Sequence, residues 1–125
     1  MERIPAKFAG WWRIVENESR SRRDLDILGP ALLSLTGGTD RLRMFVLLAD
    51  VQARPTKAGV SFTWQGAWEF DEMSGTGSVT LGRDGRLEGK LKIKDGDVST
   101  FVAERASAPG EPIQRPPSYR AKWRR

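Results

Sequence analysis

The residues best suited to chemistry in this chain are the cations and aromatic rings of its last twenty residues. Arginine and lysine neutralise phosphate groups, and aromatic rings stack on unpaired bases with about 1 to 3 kcal/mol per base. A Pro-rich basic tail, residues 106–125, carries both kinds of side chain. Its candidate nucleic-acid-binding residues are Arg115, Tyr119, Arg120, Lys122, Trp123, Arg124 and Arg125. The tail therefore predicts contact with RNA or DNA. An acidic protein surface and a solubilising end without a partner are the alternatives.

A second basic group lies on a predicted strand ahead of the tail. Apolar residues occupy every second position over residues 87–93, and cations stand between them. Since successive side chains of a strand point to opposite faces, Arg86, Lys90 and Lys92 are expected to form an outward row. This row is a further candidate for phosphate contact. Lysine on the solvent face of a strand also keeps a sheet soluble and guards its edge.

Four large aromatic residues are candidates for a ligand or interface site: Trp12, Trp64, Trp68 and Phe70. The three tryptophans suit the lining of an apolar cavity, and they suit equally well the filled interior of a small barrel. Trp68 and Phe70 stand in a predicted loop over residues 67–72, where exposed rings would serve as anchors for a protein partner. The alternation along the preceding strand offers a second interpretation, in which both rings belong to the core.

Enzyme chemistry has few candidate residues here. The chain has no Cys and no His, which excludes thiolate nucleophiles, Cys/His zinc sites and imidazole acid–base catalysis. We expect no catalytic residue, no metal and no cofactor.

Charge is unevenly distributed along the chain. The net charge is +5. Residues 1–105 hold 16 Lys and Arg against 15 Asp and Glu, so this part carries +1 and residues 106–125 carry the other +4. No apolar run approaches the roughly 20 residues that span a membrane, and the first residues lack the apolar core of a signal peptide. These patterns predict a cytoplasmic protein without a membrane partner.

Period-two alternation defines the elements that must position these residues. It predicts strands over residues 60–65, 75–81 and 87–93. A polar bend over residues 71–73 is expected to join the first two. Asp84-Gly85 is expected to form a two-residue type I′ turn before the third, because Gly accepts a positive φ.

The flanking segments complete an all-β domain. Residues 10–15, 31–35 and 41–48 read as strands, residues 50–54 as a fourth strand or an extension of the third, and residues 98–104 as the last strand. Ser21 and Asp24 have the spacing of a helix cap, which predicts at most one short helix there, with a solvated loop as the alternative. About seven or eight short strands joined by hairpins favour a small antiparallel up-and-down β-barrel over residues 1–105, followed by the extended basic tail.

Several motifs occur in the order found in a family of small bacterial β-rich proteins, which this chain resembles over roughly residues 10–105. They are Gly10-x-Trp12-x-Ile14, the Leu25-to-Pro30 stretch, Trp64-Gln65-Gly66, Ser74-Gly75-Thr76-Gly77 and the Asp84-to-Gly89 run. The Gly10-x-Trp12 spacing is also similar to that of the lipocalin first strand. The family resemblance implies a compact β-rich fold and no particular activity, and the Gly10-x-Trp12 spacing is compatible with a lipocalin-like barrel.

The sequence thus predicts a non-enzymatic binding or accessory protein whose basic tail contacts nucleic acid or a nucleoprotein assembly. Two alternatives stay open. One is a lipocalin-like carrier of a small apolar ligand, and the other is a module that regulates a bacterial partner by protein–protein contact.

Overall fold

Eight antiparallel strands close into one barrel in the computed structural model, which describes residues 3–18 and 20–106. The strands and the short helix are β1 Gly10–Asn17, α1 Arg22–Leu25, β2 Leu32–Leu35, β3 Asp40–Met44, β4 Leu47–Pro55, β5 Val60–Trp68, β6 Asp71–Leu81, β7 Leu87–Ile93 and β8 Val98–Ala106. Each strand pairs with the next, and β8 pairs with β1. This topology confirms the all-β up-and-down barrel, and closure leaves no free sheet edge.

The barrel interior is filled by pairs of one aromatic ring and one glycine on adjacent strands. Phe62 on β5 lies opposite Gly77 on β6, and Phe101 on β8 lies opposite Gly89 on β7. A Cβ atom added at Gly77 would lie 2.2 Å from Cζ of Phe62, and one added at Gly89 would lie 2.2 Å from Cζ of Phe101. The rings therefore occupy the volume that side chains at the glycine positions would need.

Trp12 and Arg105 pack together at the end of the barrel where β1 begins. The Trp12 ring is buried, and its Nε1–H donates to the carbonyl of Phe8 over 2.8 Å. The Arg105 guanidinium lies 4.3 Å from the centre of that ring. It also donates hydrogen bonds to the carbonyls of Lys7 and Ala9. A cation over an aromatic face is favourable, so this contact fixes the N-terminal segment across the barrel end.

A buried ion pair lies beneath the segment that joins β1 to β2. Arg13 donates to Oδ2 of Asp26, and the other carboxylate oxygen accepts the N–H of Ala31 over 3.0 Å. Arg43 donates from Nε to the carbonyl of Pro30 over 2.8 Å. Burial lowers the pKa of Arg43, whereas the charge of Asp26 raises it. The loop around α1 is thus attached to the barrel wall by the buried pair of Arg13 and Asp26 and by the half-buried Arg43.

The strand predicted over residues 41–48 is wrong, because the chain turns inside it. β3 ends at Met44, and Phe45 has a φ of 57°, which only a turn accommodates at a bulky residue. Phe45 is held there by tertiary contacts. Its N–H donates to the carbonyl of Leu25 over 2.9 Å, and its ring meets Trp68 edge to face at 5.5 Å. Contacts between distant segments therefore override the local alternation.

Two predicted turns also differ from the structure. Residues 71–73 are paired within β6 instead of forming a bend, and the chain reverses at Glu69 and Phe70, where Glu69 has a φ of 58°. The predicted two-residue type I′ turn is also wrong, because the connection between β6 and β7 covers residues 82–86. A type I′ turn needs a positive φ at both Asp84 and Gly85, and only Gly85 has one. The cap predicted at Ser21 is confirmed, since its hydroxyl accepts the N–H of Asp24.

Candidate nucleic-acid interface

A surface rich in cations and hydroxyl groups covers the outer side of strands β4 to β7. Strand register places its side chains in two adjacent rows, each with one residue from every strand. The first row has a cation at each end and two serines between them, and the second has an amide, two threonines and a cation. We call this surface the basic hydroxyl face. Its residues are Arg54, Ser61, Ser78 and Lys90 in the first row and Gln52, Thr63, Thr76 and Lys92 in the second.

Within the described part of the chain, the three cations of this face form no ion pair. Arg54, Lys90 and Lys92 are exposed. A shallow depression of about 860 Å³ is lined by all eight residues of the face, and its described lining contains no Asp or Glu. The residues that line this depression therefore carry a net positive charge.

The structure separates Arg86 from the predicted basic row. Its guanidinium lies 3.0 Å from a carboxylate oxygen of Asp84, 3.4 Å from one of Glu16 and 3.7 Å from one of Glu104. The hydrogen bond to Asp84 raises the pKa of Arg86, and hydrogen bonds from the backbone and side chain of Arg86 lower the pKa of Asp84. Three acidic neighbours surround this cation, so it adds no net positive charge to the basic hydroxyl face.

A larger depression of about 1420 Å³ lies on the outside of the barrel, and its charges are mixed. Arg41 pairs with Asp50 over 3.2 Å there, and Glu72 and Asp95 contribute further negative charge. It shares Gln52, Thr63, Thr76 and Lys92 with the basic hydroxyl face, and the carboxylates at its other end make that end a poorer place for a polyanion.

The four predicted aromatic site residues do not share one cavity. Trp12 and Trp64 are buried, and Trp64 donates from Nε1 to the carbonyl of Thr76 over 3.1 Å. Trp68 is half-buried and packs against the core. Phe70 is 100% exposed at the turn between β5 and β6. The first two rings fill the barrel, and Phe70 alone presents its whole surface to solvent.

The predicted tail residues lie outside the described part of the chain. They are Arg115, Tyr119, Arg120, Lys122, Trp123, Arg124 and Arg125. The last strand includes Ala106, which is buried and pairs with Trp11 of β1. Residue 106 therefore belongs to the sheet.

Sequence reasoning did not single out Arg54 or the four hydroxyl residues. One signal was present, because Leu47, Ala49 and Val51 alternate as inward residues and thereby place Arg54 on the outer side of β4. Alternation cannot show that Arg54 shares a row with Lys90. That relation requires the register of three strand pairs.

The fold and this surface define the class of protein: a closed eight-stranded antiparallel β-barrel with a candidate polyanion-binding face on its outer wall. Comparisons with protein families, with curated proteins and with solved structures find no match to this chain. The described residues contain no helix with the length and apolar character needed to cross a membrane.

Proposed function

We propose that this is a non-enzymatic, cytoplasmic nucleic-acid-binding protein in which the barrel and the basic tail contact the same polyanion. The observation that carries the proposal is the basic hydroxyl face, where Arg54, Lys90 and Lys92 are exposed without a carboxylate partner among the described residues. Cations of this kind bind phosphates by releasing the counterions of the nucleic acid. The tail contributes five further cations against one carboxylate.

The lipocalin-like carrier has less support than nucleic-acid binding. A carrier needs an open, largely apolar cavity inside the barrel. Phe62 and Phe101 instead lie against glycines of the neighbouring strands, and Trp12 and Trp64 are buried with them. The cations and hydroxyl groups on the outer wall are better suited to a charged ligand than to an apolar one.

Deleting residues 107–125 tests how much the tail contributes to nucleic-acid binding. The truncated chain keeps β8 complete through Ala106, so we expect its melting temperature to stay close to that of the full chain. The slope of log K against log salt for a single-stranded oligonucleotide should fall by roughly 3.5, because five cations contribute about 0.7 each. Fluorescence anisotropy across a salt series gives the binding constant, and hence the slope, for the full chain and for the truncated chain. If the full chain shows no salt-dependent binding to RNA or DNA, the proposed function is wrong.

A matched variant separates charge from stacking in the tail. Replacing Tyr119 and Trp123 by Ser removes both rings and keeps every cation. The salt slope should then stay unchanged while the affinity for unpaired bases falls, since stacking is worth about 1 to 3 kcal/mol per base. A fall in slope with this variant would contradict the assignment of phosphate contacts to the cations.

Phe70 favours a second candidate function, in which the barrel is a protein-interaction module. The ring stands fully exposed at the β5–β6 turn. That turn is held in place, because the N–H of Glu69 donates to the carbonyl of Val46 over 3.2 Å and Trp68 packs on Phe45 beneath it. A rigid, exposed aromatic ring is an efficient interface anchor.

Replacing Phe70 by Ser tests this second function. We expect a partner recovered by affinity purification from the native cell to be lost with Phe70→Ser, because the anchoring ring is gone. The matched control is Val98→Ser, which removes another exposed apolar side chain, from the first position of β8, and should leave the partner bound. Equal recovery with both variants would exclude Phe70 as the anchor.

A further inference from the structure

Resting on the proposed function, we infer that the basic hydroxyl face binds the sugar–phosphate backbone of one nucleic-acid strand that runs across β4 to β7, and that the face reads no bases. The ligand is thus a phosphodiester chain held by its charge and its oxygen atoms. The inference names the part of the nucleic acid that is bound, its direction on the barrel, and the side chains that bind it.

The positions of the cations set the size of the ligand. Arg54 on β4 and Lys90 on β7 are the two ends of one row, with β5 and β6 between them. Neighbouring strands lie about 4.8 Å apart, so the row is about 14 Å long. Stacked nucleotides rise about 3.4 Å each along one strand, and this length therefore corresponds to roughly four of them. Lys92 lies about 7 Å from Lys90 along β7 and can meet a further phosphate.

The side chains between the cations are short hydrogen-bonding groups. Ser61 and Ser78 lie within the first row, and Thr63 and Thr76 lie beside them in the second. Each hydroxyl donates one hydrogen bond and accepts others. Short side chains let a ligand approach the sheet closely, which suits the phosphate and sugar oxygens of a backbone that crosses the depression.

Acidic neighbours determine the direction of the bound strand. Glu88 is the outward residue next to Lys90 on β7, and Asp50 is the outward residue next to Gln52 on β4. Both carboxylates are exposed. A polyanion that ran along β4 or β7 would meet one of them within two residues of the face. A path across the strands avoids both, because the two rows contain no acidic residue.

The face lacks the groups that read bases. None of its eight residues is aromatic, and the nearby rings of Phe62 and Trp64 are buried on the inner side. Stacking on unpaired bases requires an exposed ring, and direct readout requires side chains that reach base edges in matched donor and acceptor pairs. Gln52 is the only amide among the eight. The face should therefore bind the same backbone whether or not bases are attached.

The test uses the full chain and two triple variants that remove the same charge. The face variant carries Arg54→Gln, Lys90→Gln and Lys92→Gln. The matched control carries Arg3→Gln, Arg23→Gln and Arg83→Gln, which alter exposed cations outside the face. Two fluorescent strands of about 12 nucleotides are compared, within the roughly 4 to 16 nucleotides that small barrel modules cover. One is oligothymidine, and the other is an abasic sugar–phosphate chain of the same length.

We expect the face variant to lower the salt slope by about 2 for both strands, because three lost contacts contribute about 0.7 each. If the face variant and the parent bind equally at 1 M salt, a slope lower by about 2 makes the variant roughly a hundredfold weaker at about 0.1 M salt. The control variant should keep a slope close to that of the parent. If the face variant fails to fold in a thermal melt, Lys90→Gln and Lys92→Gln are measured singly, and each should lower the slope by about 0.7.

Four results would overturn the inference. Equal losses with the face and control variants would mean that net charge alone matters. A loss confined to oligothymidine would mean that the face contacts bases. Displacement of the abasic strand by polyglutamate at the same charge concentration would mean that the face accepts carboxylates as readily as phosphates. If the parent binds and the face variant binds equally well, only this inference fails, whereas a parent that binds neither strand removes the proposed function as well.

Discussion

Replacing Asp26 by Asn should destabilise the barrel by about 3 to 5 kcal/mol, the usual cost of breaking a buried ion pair. Asp26 and its partner Arg13 have only 8% and 7% of their side-chain surface exposed. The amide keeps the size of the carboxylate and an oxygen for the N–H of Ala31, but it removes the negative charge. Arg13 would then remain charged in a site that excludes water, with the half-buried Arg43 close by.

The pair formed by Arg41 and Asp50 is the natural control for this experiment. It joins the same two residue types over 3.2 Å, but 72% and 75% of the side-chain surfaces are exposed. Exposed pairs contribute about 0 to 1 kcal/mol, so Asp50→Asn should change the free energy of unfolding by less than about 1 kcal/mol. Denaturant unfolding of both variants gives the comparison. Similar values for the two would show that burial of Asp26 carries no energetic weight.

The strands could be predicted from the sequence because their periodicity is local. Inward residues alternate with polar ones along β5 and β7, and that pattern needs no knowledge of the partner strand. The turns are different. Phe45 and Glu69 adopt positive φ values that their residue types do not favour. The N–H of Phe45 bonds to Leu25, and that of Glu69 bonds to Val46. Such turns depend on contacts between segments, which alternation does not encode.

The candidate site shows the same division between local and distant information. Lys90 and Lys92 could be placed on the outer wall because they alternate with apolar residues of β7. Arg54 joins them only through the register of β4 to β7. Arg86 has the same parity as the two lysines, yet Glu16 of β1 and Glu104 of β8 approach it from distant parts of the chain. The sequence therefore shows where the cations are, but the folded structure is needed to show which of them form ion pairs.

Replacing Phe62 by Ala should cost about 3 to 5 kcal/mol, the usual range for truncating a buried aromatic residue. The ring is buried and lies against Gly77, which has no side chain to fill the vacated volume. Gly77→Leu alone should also destabilise the barrel, by about 1 to 3 kcal/mol or more, because its side chain would overlap the Phe62 ring. Chemical denaturation of each variant gives its free energy of unfolding.

The double variant Phe62→Ala with Gly77→Leu decides whether the two positions share one volume. If they do, the new leucine occupies the space left by the ring, and the double variant should be more stable than either single variant. Contacting residues commonly show coupling of about 0.5 to 3 kcal/mol. Additive losses would instead mean that the ring and the glycine are energetically independent. A favourable coupling would show that the interior is divided between rings and glycines of adjacent strands, which leaves the outer wall as the place where this barrel can recognise a ligand.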